Sequence, residues 1–316
     1  MKRIFLYSFI VFLLAGCAKE ASNEFVAYPN NPQNDTSWKA SISNDAPVNA
    51  LLSLLSSPPV VDSFDISTGG VLHCAENAVI IFPANCTKET VSGKIIVEAI
   101  FLKSKGDMVR FGKPTVSDNY VLVSGGAFHI KIVKDGQELH VSDAVRISVK
   151  YVSQELDKKM KVFYGDTSVN ATDGFNWVPA TDSSRIDLWQ DGALSGYNIF
   201  PKNIGWINCD KFADSTVPST KLNAVLPVNF TNINTAVFIV FKDQWSVLRM
   251  SADVPNRYFY THKVPLDKKV IIVSISLIGT DLYIGAKDTV VTADAVIELQ
   301  PVVKSKKDII DFLAAL

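Results

Sequence analysis

The stretch Gly93–Leu102, GKIIVEAIFL, decides the fold of this chain. Between Ile95 and Leu102, apolar residues fill both alternating sets of positions, and Glu98 is the one charged residue. Successive side chains of a strand point to opposite faces, so a segment that is apolar in both sets belongs inside a sheet covered on both sides. The stretch therefore predicts a central β-strand.

Shorter strand patterns lie on both sides of this stretch, separated by turn-forming residues. The tetrapeptide Lys134-Asp135-Gly136-Gln137 is a hairpin signal, because Asp-Gly tolerates the positive φ angles of a two-residue turn. A series of short strands with such turns is typical of a β-sandwich. The other predicted strands are Gly69–Leu72, Val79–Phe82, Tyr120–Val123, Ala127–Val133, Glu138–Val141 and Val145–Val152.

The rest of the chain predicts a second β-rich unit. We expect a first sandwich over 59–153, an irregular β connecting segment over 154–202 and a second sandwich over 203–302. Residues 303–316 predict a short C-terminal helix with Ile309 and Leu313 on one face. The predicted fold class is all-β, with two tandem β-sandwich domains and a short C-terminal helix.

The N-terminus has the pattern of a bacterial lipoprotein signal. Lys2 and Arg3 precede the apolar run Ile4–Leu14, and Leu14-Ala15-Gly16-Cys17 forms a lipobox. The run is too short to span a bilayer, which needs about 20 apolar residues. We expect a signal peptide over 1–16, lipid on Cys17 and a flexible tether over 17–58, rich in Asn, Ser and Pro. A secreted protein with a chance cysteine is the alternative.

Composition limits the class of partner. The formal net charge is −1, and removal of residues 1–16, with their two basic residues, takes it to −3. No basic run is present, which argues against nucleic acid as a partner. The predicted partners are the membrane, through the N-terminal lipid, and an envelope protein or glycan.

Cys74 and Cys86 are a candidate disulfide, because an exported protein meets an oxidising compartment. A bridge closing so short a loop would contribute about 3 kcal/mol. The alternative is two thiols, because a tight turn at Glu76-Asn77 would place Cys74 opposite a residue near Val79. Cys209 then lacks a partner.

Catalytic and metal-binding patterns are missing from the sequence. His73 and Cys74 are neighbours on a predicted strand and point to opposite faces. His129 shares a strand face with Ala127 and Lys131, which predicts a solvent-facing residue. The sequence has no metal-ligand spacing, nucleophile elbow or phosphate loop. We therefore expect no catalytic residue, no metal and no cofactor.

Tryptophans offer a different route to function. Exposed indole rings stack on the apolar faces of sugars, and Trp189 and Trp245 are the candidates for such ligand stacking. Trp177 and Trp206 are instead expected to fill the interface between the two domains.

The first unit contains a set of short motifs: Gly69-Gly70, Ile81–Asn85, Val91–Ile95, Lys113–Thr115, Ser124–Ile130 and Asp135–Gln137. Together they resemble the ZU-five-type sandwich domain of ankyrins and netrin receptors, in the divergent form of exported Bacteroidota proteins. The segment Gly205–Phe212 is similar to a motif of uncharacterised lipoproteins that carry this domain. The resemblance implies a sandwich used for binding or structure. It implies no self-cleavage, because the strand reads Ala127-Phe128-His129-Ile130 where self-cleaving relatives have His-Phe-Ser.

The expected function is that of a lipid-anchored outer-membrane protein acting as a non-catalytic binding or scaffold module. Ala18-Lys19-Glu20 partly resembles the signal that sends such lipoproteins to the cell surface, and the periplasmic face is the alternative location. A carbohydrate-binding surface lipoprotein is the first alternative function. An envelope hydrolase is the second, because glycoside hydrolysis needs only two carboxylates.

Overall fold

The computed structural model describes residues 36–168 and 175–316. The predicted signal peptide over 1–16, the predicted lipidation site Cys17 and the expected tether up to residue 35 lie outside the described residues.

Strands between residues 60 and 212 form two antiparallel sheets, here called sheet 1 and sheet 2. Sheet 1 contains β2 (Gly70–His73), β3 (Val79–Phe82), β8 (Ser148–Val152), β11 (Arg185–Asp191) and β12 (Leu194–Phe200), in the order β11-β12-β8-β3-β2. Sheet 2 contains β1 (Val60–Asp65), β4 (Lys94–Leu102), β5 (Val116–Ser117), β6 (Tyr120–Lys134), β7 (Gln137–Glu138), β9 (Lys161–Asp166), β10 (Asn176–Pro179) and β13 (Gly205–Phe212). Its strand order is β1-β4-β6-β13-β9-β10, and β5 and β7 also pair with β6.

Strands between residues 219 and 303 form sheets 3 and 4. Sheet 3 contains β15 (Thr235–Phe241), β16 (Val247–Arg249), β19 (Lys269–Ile278), β20 (Asp281–Val290) and β22 (Val302–Val303), in the order β16-β15-β19-β20-β22. Sheet 4 contains β14 (Ser219–Val225), β17 (Ser251–Asp253), β18 (Tyr258–Pro265) and β21 (Ala295–Glu298), in the order β17-β18-β14-β21, and its β14–β21 pair is parallel.

Three short helices complete the described part of the chain, together with a 3-10 turn at Ala75–Asn77. They are α1 (Pro47–Leu55), α2 (Lys105–Arg110) and α3 (Lys306–Ala314). Ser104 and Ser305 begin α2 and α3 with capping boxes, each accepting a hydrogen bond from the main-chain N–H three residues later. α3 confirms the predicted C-terminal helix, and its Ile309 and Leu313 are buried.

The sheets and helices enclose three apolar cores. Sheets 1 and 2 pack around the first-sandwich core, and sheets 3 and 4 around the second-sandwich core. The other faces of sheets 2 and 3 share a central core with the three helices. Residues Thr36–Leu316 consequently form one compact unit. The central core includes Leu51, Leu55, Leu102, Met108, Phe163, Trp177, Phe238, Val240, Ile275 and Leu313.

The stretch that predicted a central strand is β4, which pairs with β1 on one side and β6 on the other. Ile95, Val97 and Ala99 point into the first-sandwich core, and Leu102 reaches the central core. The predicted hairpin is also confirmed, since Asp135 and Gly136 have φ angles of 50° and 79° between the paired residues of β6 and β7.

The predicted domain boundaries differ from the structure. The segment 154–202, expected to be an irregular connection, supplies β9 and β10 to sheet 2 and β11 and β12 to sheet 1. β13, expected to open the second sandwich, lies between β6 and β9 in sheet 2. The first sandwich therefore extends to Phe212, because its two sheets are completed by strands distant in sequence.

The expected tether over 17–58 also includes folded structure. Pro47 starts α1, and Val48, Leu51 and Leu55 are buried. Lys39 is fixed by two hydrogen bonds with Asn232, from its N to Oδ1 at 3.0 Å and from Nδ2 to its O at 2.6 Å. The buried apolar face of α1 holds this segment in the central core, whereas its composition had predicted a flexible tether.

Candidate binding face

The outward side of sheet 1 is partly exposed, and we call it the platform face. Alternation along β12 sends Tyr197 and Ile199 into the first-sandwich core and leaves Phe200 pointing outward. Directly paired residues lie on the same face, so the strand registers define its other members. These are Val71, His73, Val79, Ile81, Ser148, Lys150, Val152, Arg185, Asp187, Trp189, Asp191, Leu194, Gly196 and Asn198.

Trp189 is fixed on this face by a glycine. It pairs with Gly196, where an added Cβ would meet the indole Cε2 at 3.0 Å and the main-chain oxygen of Tyr151 at 1.9 Å. The absence of a side chain lets the indole pack against the main chain. Its Nε1–H donates a hydrogen bond to the Tyr197 oxygen at 3.1 Å. The half-buried ring is thus held in place while part of it faces solvent.

Two cations lie over the aromatic rings of the platform face. The Lys150 ammonium is 4.1 Å from the centroid of the Trp189 ring, and the Arg185 guanidinium carbon is 4.1 Å from that of Phe200. Such contacts are favourable because the face of an aromatic ring is electron-rich. Arg185 Nε also lies 3.2 Å from Asp187 Oδ2, whereas no carboxylate of the described residues lies within 4.0 Å of the Lys150 ammonium.

The other half of the platform face is aliphatic. Val71 and Ile81 are directly paired and are 44% and 41% exposed, and Val79 and Val152 are half-buried. Scattered exposed apolar residues are ordinary, but several on one flat face beside aromatic rings indicate an interaction surface.

The structure separates the two tryptophans predicted to stack on ligands. Trp189 lies on the platform face, whereas Trp245 is half-buried against the central core, and its main-chain oxygen accepts a hydrogen bond from Ser124 N at 2.9 Å. Trp245 is therefore part of the junction between the sandwiches. The prediction for Trp177 is confirmed, because it is fully buried in the central core and donates from Nε1 to the Pro114 oxygen at 2.9 Å.

The cysteines of the described residues are free thiols, and no bond joins Cys74 to Cys86. Cys74 N bonds to the Ala78 oxygen, as the tight-turn alternative expected. Burial raises the pKa of Cys74 to about 11, and burial also raises the pKa of Cys86 and of Cys209. All three are therefore protonated and weakly nucleophilic at neutral pH.

His129 is half-buried rather than solvent-facing as expected. Its ring lies 4.8 Å from that of Trp206, and the Lys113 ammonium lies 4.8 Å from the Trp206 centroid and 3.9 Å from that of Phe175. Burial and the Lys113 charge lower the pKa of His129. Burial lowers the pKa of Lys113 to about 8, and repulsion from Arg249 adds to this. These groups pack the rim of the central core.

A buried polar cluster joins β6 to β13 at a β-bulge. Ser124 Oγ donates to Asn208 Oδ1 at 2.8 Å, and Asn208 Nδ2 donates to Asp210 Oδ2 at 2.7 Å. Asp210 is fully buried, and its Oδ1 has no hydrogen-bond partner among the described residues. Burial raises the pKa of Asp210 well above its ordinary value. The extra residue of the bulge lies at Gly125 and Gly126, between the positions that pair with Asp210 and Asn208.

A cavity of about 210 Å³ lies at a loop of the first sandwich, away from the platform face, and is lined by Ile66, Asn85 and Thr87–Val91. Its carboxylate is Glu89, whose Oε1 lies 2.8 Å from His140 Nδ1. That hydrogen bond lowers the pKa of Glu89, which does not suit a general acid. Within 36–168 and 175–316, no group of three or more His, Cys, Asp or Glu residues is arranged to hold a metal.

Sequence reasoning missed an aromatic strip on the outward side of sheet 4. Tyr258, Tyr260 and His262 alternate along β18, with ring centroids 6.4 Å and 5.3 Å apart. Lys221 Nζ donates to the Tyr258 hydroxyl at 2.9 Å. The period of two in Tyr-Phe-Tyr-Thr-His was a readable signal for this strip.

No helix in the described part of the chain has the length and apolar character needed to cross a membrane. No family model and no curated protein matches this sequence. Among solved structures, the chain is similar to the crystal structure of domains A168-A170 from titin, with 8% identity over 78% of this chain and 99% of that chain. The TM-score is 0.14, and a likeness at that level carries no argument about function.

Proposed function

We propose that this protein is a lipid-anchored envelope protein that binds a partner through the platform face and performs no catalysis. The observation that carries the proposal is the arrangement of Trp189 and Phe200, each beneath a cation, on an open and partly aliphatic sheet surface. Fixed aromatic rings contribute large contact area and lose little conformational entropy on binding.

Packing of the reactive side chains supports a non-catalytic role. Cys209 lies in the first-sandwich core beside the buried Tyr151, and Asp210 is held by Asn208 beneath the protein surface. The His129 ring packs against Trp206 at an interplanar angle of 46°. Each of these groups therefore serves packing instead of facing a substrate cleft.

Carbohydrate binding is the favoured form of this function. Trp189 is half-buried on the platform face with the Lys150 ammonium over its ring, so a sugar would contact the exposed part of the indole beside that ammonium. The likeness to ZU-five-type domains of Bacteroidota lipoproteins is part of the same proposal.

The test combines the anchor with the face. Membrane fractionation and mass spectrometry of the N-terminal peptide should find a diacylated or triacylated Cys17, and Cys17→Ala should release the protein from membranes. The Cys17→Ala protein, which lacks the lipid, should retain detergent-solubilised envelope material when it is immobilised on a column, and adding Trp189→Ala should abolish that retention. An unmodified Cys17, or retention unchanged by Trp189→Ala with fold preserved by circular dichroism, would contradict the proposal.

A further inference from the structure

We infer that the cavity at the loop of the first sandwich binds one neutral sugar ring, whose hydroxyl groups donate hydrogen bonds to Glu89. None of the lining residues belongs to the platform face, so this is a second site that does not rest on the proposed function. The cavity volume of about 210 Å³ is smaller than that of sites for drug-sized ligands, about 300–1,000 Å³, and therefore suits a single ring.

The loop that lines the cavity is fixed by main-chain hydrogen bonds on both sides. Asn85 N donates to the Ile66 oxygen at 2.7 Å, and Ile66 N donates to the Gly93 oxygen at 3.0 Å. On the other side, Lys88 N donates to the His140 oxygen at 2.8 Å. Because the loop is held before a ligand arrives, binding costs little conformational entropy.

Glu89 provides an acceptor in a fixed orientation. Its Oε1 lies 2.8 Å from His140 Nδ1, and its Oε2 accepts a hydrogen bond from His140 N at 3.0 Å. The hydrogen bond with the His140 side chain lowers the pKa of Glu89, so the carboxylate is ionised at neutral pH. An ionised carboxylate has about four acceptor positions, and two of them are left for a ligand. Adjacent hydroxyl groups of a sugar ring can supply both donors.

The rest of the lining combines neutral polar groups with apolar side chains. The Asn85 amide and the Thr90 hydroxyl make no hydrogen bond to another described residue, so they can bond to a ligand. Ile66 is 2% exposed and Val91 is half-buried. A sugar ring has the same division, with hydroxyl groups at its edge and C–H groups on its faces.

The charges at the cavity favour a neutral ligand. Lys88 is the cation of the lining, and its Nζ lies 3.5 Å from Asp143 Oδ2, so its charge already has a partner. An acidic sugar would bring a second carboxylate close to Glu89 and would be repelled. A cationic amino sugar is the competing ligand, because an ammonium group can also donate to Glu89.

The experiment is saturation-transfer difference NMR of the Cys17→Ala protein with the methyl glycosides of glucose, mannose and galactose. We expect saturable binding of at least one of these sugars. The uronic acid and the amino sugar with the same ring then isolate the effect of charge. The uronic acid should bind about tenfold more weakly than the neutral sugar, and the amino sugar should bind no more tightly than it.

Single substitutions assign the binding to the cavity. Glu89→Gln should weaken it about tenfold, because a neutral amide is a weaker acceptor than a carboxylate. Thr90→Val leaves the Glu89–His140 contact intact and should weaken binding about threefold. Glu155→Gln removes an exposed carboxylate outside the cavity and should leave binding unchanged, and circular dichroism should confirm that each variant is folded.

The alternative results separate this inference from the proposed function. Failure of all three neutral sugars to bind overturns the inference and leaves the platform face unaffected. Tighter binding of the uronic acid or of the amino sugar overturns the assignment of a neutral ligand. Binding that Glu89→Gln leaves unchanged, or that Trp189→Ala abolishes, overturns the assignment to the cavity. The proposed function fails separately, through envelope retention that does not depend on Trp189.

Discussion

Replacing Asp210 by asparagine should stabilise the protein at neutral pH. Asp210 is fully buried, its Oδ2 accepts one hydrogen bond from Asn208, and its Oδ1 has no partner among the described residues. An asparagine has nearly the same shape. Its amide oxygen can keep the Asn208 hydrogen bond, and its amide nitrogen would take the place of Oδ1.

The pH dependence follows from the raised pKa. The unfolded chain releases the Asp210 proton near the ordinary value of 3.8, whereas burial keeps that proton bound in the folded protein. Between these two pKa values the folded state holds more protons, so stability falls as pH rises above about 3.8. An asparagine does not titrate. Its advantage should be absent near pH 3.8 and should grow toward neutral pH.

The magnitude follows from proton linkage. Each pH unit through which the folded protein keeps a proton that the unfolded chain has released lowers the free energy of unfolding by about 1.4 kcal/mol. We expect Asp210→Asn to raise the free energy of unfolding by at least about that amount at pH 7, measured by urea denaturation at several pH values. A variant less stable than the parent at pH 7, or a stability difference that does not change with pH, would refute the reasoning.

Asp157 provides a control of opposite sign. Its side-chain hydrogen bond with Lys211 lowers its pKa, so its contribution to stability is present above about 3.8 and is lost as pH falls through the lowered value. Asp157→Asn should therefore destabilise the protein at neutral pH, and the difference should disappear in acid. The two variants should show opposite pH slopes in the same assay.

Three further predictions concern packing and thiols. Trp177→Ala should lower the free energy of unfolding by about 3–5 kcal/mol in urea titrations, because the ring is fully buried in the central core. Trp189→Ala should lower it by less than about 1.5 kcal/mol. Equal losses would contradict the assignment of the two rings. Gly196→Ala should displace the Trp189 indole, because the new Cβ would lie 3.0 Å from the indole Cε2 and 1.9 Å from the main-chain oxygen of Tyr151. Unchanged tryptophan fluorescence would argue against this displacement. Alkylation in denaturant without reductant should label both Cys74 and Cys86, and a peptide that joins them would show the disulfide that the structure lacks.

Local sequence patterns predicted strands well where each had its own signal. The alternation in β4, the Asp135-Gly136 turn and the apolar face of α3 all depend on residues close together in the chain. The segment Gly205–Phe212 was identified only as a motif and not as a strand. Its pairing with β6 and β9 depends on contacts distant in sequence, which no local pattern encodes.

The site was predicted only in part. Trp189 was identified as a candidate because exposed indole rings can stack on sugars. Lys150 and Gly196 lie on other strands, and their contact with the indole depends on the register of sheet 1. Trp245 was misassigned because a position at the end of an element suggests exposure, whereas the second sandwich here bonds to the first.

The most direct test of the platform face is hydroxyl-radical footprinting of the full-length protein in isolated cell envelopes and after purification in detergent. Our account predicts that oxidation of Trp189 and Phe200 falls in the envelope, where the face is occupied, while Tyr258 and Tyr260 are oxidised equally in both states. Equal oxidation of Trp189 and Phe200 in the two states, or protection confined to Tyr258 and Tyr260, would contradict it.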